Sequence, residues 1–381
     1  MMQATFVMEQ HLGHRTFYQN LRRFVDQQAA ASFGAEAFVP RWVEVTYVQP
    51  GGVYERLRFL PASLCGTLRG RAQVRAGLRG APATAAFFNT QVPAVLGGGV
   101  TRRQPYVIST DITPIQYDRM GQHYGHTVAR AGPLRAYKHW VNRRVFGGAA
   151  AVLPWSTWVR QSLIADYNVS PSRIEVIPPG VDLELWQPDA GRVALDPAAV
   201  DATTAGDAPL RILFVGGDMH RKGGDVLLQA YQALRAAGLA AAFELHLVTR
   251  SPAPSGEGVV AHHGLRPNTP ELIAVFRASD VFVLPTEAEA FGIAAVEAAA
   301  AGLPAIVTDV GGLTDVVVEG ETGFLIRPGD VQTLVARLRL LAADPGLRLR
   351  LGRAARARAE ARFDARKNAA RIVEILRAAV V

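Results

Sequence analysis

One stretch narrows the choice of fold more than any other. It is the apolar run Val281-Phe-Val-Leu284, an acidic loop carrying Glu287 and Glu289, and an alanine-rich segment running from Phe291-Gly292 to Gly302. Four consecutive apolar residues without polar alternation read as a strand buried on both faces, the mark of a parallel sheet. The alanine-rich segment reads as the helix that follows it. At such a junction the free N–H groups and positive end of the helix suit a phosphate. Glu289 lies in the loop, and Glu297 lies about a turn and a half inside the helix. Carboxylates accept hydrogen bonds from hydroxyls. The stretch predicts a sugar- or nucleotide-phosphate site.

The same rhythm runs through the chain. Strands are expected at residues 5–8, 42–48, 83–88, 106–109 and 148–153, and again at 211–215, 243–248, 281–284 and 304–308. Helices fall between them, at 134–146, 158–167, 223–237 and 270–278 among others, and the end from Val331 reads as largely helical. Alternating strands and helices imply parallel sheets covered on both faces. At 381 residues the chain is long enough for two such domains. A Pro-, Ala- and Gly-rich interval with little periodicity separates them. The expected division is 1–185 for the first domain, 186–209 for a linker and 210–362 for the second. A last helix, 363–381, is expected to return to the first domain.

Charge is unevenly shared. Residues 1–200 hold 21 of the 41 Lys and Arg and 13 of the 33 Asp and Glu, leaving 20 against 20 in residues 201–381, so the whole excess of +8 sits in the first part. Arg71, Arg75 and Arg79 fall on one face of a predicted helix over 68–80, with Val74 and Leu78 on the other. That face suits an anionic membrane or polyanionic acceptor, or is simply a solvated helix face. No basic-aromatic alternation points to nucleic acid. The single cysteine, Cys65, leaves no disulfide framework and reads as a small buried hydrophobe. With no leader pattern and no long apolar run, a cytoplasmic location is expected, peripheral to the inner face of the membrane at most.

The second informative stretch is Phe214-Val-Gly-Gly-Asp-Met-His-Arg-Lys-Gly-Gly224. It too joins a strand to a helix, and its glycines, Gly216 and Gly217 among them, flank the pair Arg221-Lys222. A guanidinium and an ammonium at a helix start suit a diphosphate whose charge grows as it leaves. The spacing is neither that of a Walker loop nor that of a dinucleotide fingerprint.

Together these motifs resemble the family 4 retaining glycosyltransferases of GT-B architecture. The resemblance rests on Ile177-Pro-Pro-Gly-Val-Asp182, Arg221-Lys222-Gly223, Glu289 and Glu297 with Phe291-Gly292 between them, Thr308-Asp-Val-Gly-Gly312 and Glu319-Gly-Glu-Thr-Gly-Phe-Leu325. It implies two Rossmann-like, doubly wound domains facing each other across a cleft. The second would bind a UDP- or GDP-sugar and the first a glycan or lipid-linked acceptor. It implies that Glu297 holds the ribose hydroxyls. Glu289, with the backbone at Phe291, Gly292 and Ile293, would hold the sugar and phosphate. Arg221 and Lys222 would stabilise the departing diphosphate without a metal or other cofactor.

Two departures stand out. Many members carry Arg where this chain has Gly217, so Arg221 is expected to assume part of that charge. Many end a first-domain strand in a catalytic-site His, where this chain has Asp111. That carboxylate is expected either to hydrogen-bond the sugar or acceptor, or to cap the helix that follows. Gly13, at the first strand–helix turn, would let a ligand approach the backbone. His123, His126, His262 and His263 lack a third ligand at fixed spacing and read as exposed or capping residues. A nucleotide-sugar 2-epimerase of the same fold and a non-enzymatic anion-binding protein are the alternatives.

Overall fold

The computed structural model describes residues 1–10, 13–34, 37–48, 62–79, 83–125, 132–197 and 208–380. His126 and the turn at Gly51-Gly52 lie outside them, as do residues 198–207 of the expected linker. The chain forms two compact units. One comprises residues 1–121, 126–180 and 365–381, and the other residues 122–125 and 181–364.

In the first unit β1 (Met2–Glu9), β2 (Phe38–Val45), β3 (Ala85–Phe88), β4 (Tyr106–Thr110) and β5 (Ala151–Pro154) form a parallel sheet in the order β2-β1-β3-β4-β5. Helices α1 (Gly13–Ala30), α2 (Ala62–Arg79), α3 (Gln91–Gly97), α4 (Pro114–Arg119), α5 (Pro133–Gly148) and α6 (Thr157–Ala165) complete it. Phe6, Val7, Phe87, Phe88, Val107, Ile108 and Leu153 are fully buried, which is why the central strands read as unbroken apolar runs.

β2 starts four residues before the expected Trp42, running through Pro40 and Arg41. It is the edge strand, where a missing N–H is tolerated. It ends at Val45 because the N–H groups of Thr46 and Tyr47 donate to Gln73 Oε1 instead of continuing the ladder. α2 is helical through Gly70 and Gly77, the residues that should weaken it. A Cβ at either would come within 2.5 Å of Tyr47 or Val43, so the glycines allow α2 to lie directly on β2 and the segment after it.

In the second unit the short helix α7 (Ala190–Ala194) precedes six parallel strands: β6 (Leu210–Val215), β7 (Phe243–Val248), β8 (Val259–His262), β9 (Val281–Leu284), β10 (Ala305–Thr308) and β11 (Gly323–Ile326). Their order is β11-β10-β9-β6-β7-β8. Helices α8 (Gly224–Ala236), α9 (Pro270–Ala278), α10 (Ile293–Ala300), α11 (Leu313–Val316), α12 (Val331–Ala343) and α13 (Pro345–Arg362) connect and follow them. The chain lays down β6, β7 and β8 in one direction, then returns to build β9, β10 and β11 on the other side of β6. The point of reversal, between β6 and β9, is where open α/β sheets form a crevice.

Residues just after Val181 pack on this second unit. Trp186 is fully buried, its Nε1 donates to Asn268 Oδ1 at 3.0 Å, and its ring meets Phe276 edge-on. The last helix, α14 (Ala365–Ala378), packs on α1 in the first unit. Arg371 grips both oxygens of Glu175 at 2.7 and 2.9 Å, and Asn368 donates to Pro178 O at 2.9 Å.

Candidate active site

Three loops meet at the C-terminal ends of β6, β9 and β10, and glycines let them interlock. Gly223 has φ +76°, and a Cβ there would lie 1.9 Å from Pro285 O, in the loop after β9. Gly311 has φ +56°, and a Cβ there would lie 1.8 Å from Glu289 O. Gly312 N donates to Ala290 O at 3.1 Å. Two buried threonines tie the same loops from below. Thr308 Oγ1 donates to Thr286 O at 2.7 Å, and Thr286 Oγ1 to Arg221 O at 3.0 Å. The backbone carrying Glu289 is thus held on one side by the basic loop and on the other by the loop after β10.

Lys222 Nζ donates to Glu289 Oε2 in a largely buried ion pair. Two residues 67 positions apart in sequence therefore meet. Arg221 Nη1 donates to Ala288 O at 3.4 Å, its Nε lies 3.8 Å from Asp218, and its guanidinium packs 4.7 Å over the ring of Tyr124. Beside Tyr124, His123 Nδ1 lies 2.9 Å from a Glu287 oxygen, within the same unit. A Cβ on Gly216 would sit 2.9 Å from Lys222 Cβ, and one on Gly217 would sit 2.8 Å from Arg250 Nη2. The cation beside Gly217 is therefore Arg250, from the end of β7.

Gly292, at φ +95°, is the N-cap of α10 and offers no side-chain cap, so Ile293 opens a helix whose first N–H groups are not covered by a capping side chain. The Phe291 side chain is buried against Phe363, with ring centroids 6.2 Å apart, so Phe291 presents only backbone to the site. Glu297 is 5% exposed on α10, and burial pushes its pKa up to about 8. A carboxyl in that state is poised to exchange hydrogen bonds with hydroxyls.

Asp111 and Gly13 belong to the first unit. The cap of α4 is Thr113, in a capping box with Gln116, which leaves the Asp111 carboxylate free of that task. It lies 3.4 Å from His14 Nε2. Gly13, the exposed first residue of α1, sets His14 at that position. Burial opposes the charge on His14, but Asp111, with help from Glu9, raises its pKa above the usual value. His14 also packs at a tilt against Trp155, ring centroids 5.0 Å apart, and Trp155 Nε1 donates to Ser109 Oγ at 2.7 Å. Elsewhere His262 Nε2 lies 3.0 Å from His246 Nδ1, and His263 Nδ1 3.0 Å from Thr249 O. Among the described residues no group of three or more His, Cys, Asp or Glu is placed to hold a metal ion.

His14, Trp155, Arg250 and Tyr124 have no motif of their own in the sequence. Only the step from Gly13 to His14 at a strand–helix turn offered a signal.

Two Rossmann-like units, one with cations and carboxylates gathered at its sheet reversal, define the GT-B class of fold. Solved structures agree at the level of fold. Sucrose-phosphate synthase from Thermosynechococcus elongatus superposes with a TM-score of 0.71 at 19% identity, over 99% of each chain. The Anabaena protein HepE in complex with UDP and glucose gives 0.66 at 17% identity, again over 99% of each. In sequence, residues 31–185 match the family described as Glycosyltransferase Family 4, and residues 255–358 the one described as Glycosyl transferases group 1. Each of these matches covers less than half of the chain. A D-inositol 3-phosphate glycosyltransferase of Arthrobacter sp. (strain FB24) is 32% identical over 249 residues, which is 62% of this chain and 58% of that protein. The homologous enzyme of Streptomyces avermitilis is 35% identical over 52% of this chain and 45% of its own length. The chain thus spans about half the length of these relatives, 58% of one and 45% of the other.

Proposed function

We propose that the chain transfers a sugar from a nucleotide-diphosphate sugar to a hydroxyl acceptor, with retention at the anomeric carbon. The observation that carries this is the Lys222–Glu289 ion pair at the reversal between β6 and β9, with Arg221 and Arg250 beside it and Glu297 buried on α10. Glu289 holds Lys222 in place as its counter-ion until a diphosphate takes that part. Arg221, Lys222 and Arg250 then neutralise the charge that develops as the bond from the anomeric carbon to the diphosphate oxygen breaks. The acceptor oxygen forms the new bond on the same face, and its proton passes to the departing phosphate. Glu297 receives the ribose hydroxyls and Glu289 positions the sugar. The cationic side chains do what a metal ion would otherwise do, so transfer is metal-independent and persists in chelator.

The HepE complex with UDP and glucose makes a UDP-sugar the first donor to try. The names of the curated relatives make a phosphorylated polyol the first acceptor. Asp111 with His14 supplies hydrogen-bonding groups for the acceptor or sugar. Nucleoside-diphosphate release tests the division of roles. Lys222→Ala is expected to lose roughly a hundredfold or more, the scale of a lost charge-stabilising donor, and Glu289→Gln much less. The reverse order would make Glu289 a nucleophile and overturn the mechanism.

A further inference from the structure

We propose that α5 and an arginine-lined pocket at its C-terminal end form a docking surface for an anionic phospholipid membrane. Leu134, Tyr137 and Trp140 are 61, 62 and 55% exposed, which is unusual for three large apolar side chains so close together. Spaced three apart, and followed four residues on by Arg144, they lie along one stripe of the helix. Tyr137 and Trp140 stack with their centroids 6.1 Å apart, and the Arg144 guanidinium lies 5.6 Å over the Trp140 ring. The opposite side faces the protein, where His139 and Phe146 both pack on Tyr167 at 5.1 Å. The stripe therefore points away from the core.

Charge names the partner. α5 carries Arg135, Lys138, Arg143 and Arg144 and no acid. Where it ends, Gly148, Ala149 and Ala150 line an open pocket of about 570 Å³ together with Arg102, Arg103 and Arg173. Arg173 is fixed there by donating to Gly147 O at 3.0 Å. Arg102 and Arg103 have no carboxylate within ion-pair distance among the described residues. The pocket lies where β4 and β5 begin, at the opposite end of the strands from Asp111. Exposed aromatic and aliphatic side chains beside a row of cations suit the interface between headgroups and acyl chains, and the pocket suits a headgroup phosphate. The surface differs from the arginine face expected on α2. Nothing in it rests on the donor reading, since vesicle binding and sugar transfer are measured separately.

Co-sedimentation of the full chain with vesicles of phosphatidylcholine alone, or with a third phosphatidylglycerol, tests it. The chain is expected to pellet with the anionic vesicles only, and less at high salt. Arg102→Gln and Arg103→Gln are each expected to cut the partition coefficient by about fivefold, the factor for one basic residue near such a surface. Tyr137→Ser with Trp140→Ser is expected to abolish binding while leaving melting temperature and donor hydrolysis unchanged. Equal binding to both vesicles, binding unaltered in these variants, or binding to RNA in place of vesicles would each overturn the proposal.

Discussion

Glu297 stands out among single residues because burial holds its pKa near 8 without a charged partner. In the unfolded chain it ionises near the ordinary carboxylate value, so the folded state keeps a proton the unfolded state has lost. Stability from this group therefore falls as pH rises from about 4.5 to about 8 and stays low above that. Glu297→Gln is expected to melt higher than the unaltered chain at pH 8 by at least about 2–4 °C, the shift for roughly 1 kcal/mol in a unit of this size. The two should coincide near pH 4.5. Scanning calorimetry at both values checks it, and equal melting at pH 8 would show that Glu297 is ionised at no cost. In the proposed site the same carboxyl receives the ribose hydroxyls, so the variant is expected to trade ligand binding for stability.

At the scale of elements, the interlock of the three loops fixes Glu289 more firmly than its own loop could. Gly311→Ala would drive a Cβ into Glu289 O, and no side-chain rotation relieves a clash with backbone. A loss of roughly 2 kcal/mol or more is expected, with weaker donor binding, because the displaced atom belongs to the site residue itself. Gly320→Ala, at φ +72° but with open space around its Cβ, is expected to cost less and to leave donor binding unchanged. Thermal melts and a binding isotherm on both variants separate the two effects.

The elements also show what a sequence can and cannot reveal. β9 with α10 was legible because strand, acidic loop and helix are contiguous, and their periodicities are local. β8 was missed: it is a four-residue edge strand, partly exposed, with no apolar run to announce it. Arg250 beside Gly217, and His14 beside Asp111, come from distant parts of the chain. Their pairing depends on strand order, and a single sequence carries no signal of that. The value of the α2 glycines is hidden for the same reason, since it lies in the close approach of Val43 on β2 and of Tyr47 just after it.

For the whole molecule, the sequence located the positive excess in residues 1–200 but not where it gathers. Cations on α5 and at Arg102, Arg103 and Arg173 form one such patch, and its pocket lies at the opposite end of the strands from Asp111. No helix among the described residues is long and apolar enough to cross a membrane. In the other unit, Lys222, Glu289, Arg221 and Glu297 form the proposed site for a nucleotide-diphosphate sugar. Isothermal titration of the full chain with UDP-, GDP- and ADP-sugars, in chelator, measures that directly. At least one is expected to bind with a micromolar-range dissociation constant, weakening roughly tenfold or more in Lys222→Ala. Failure of all three to bind the folded, unaltered chain would contradict the account.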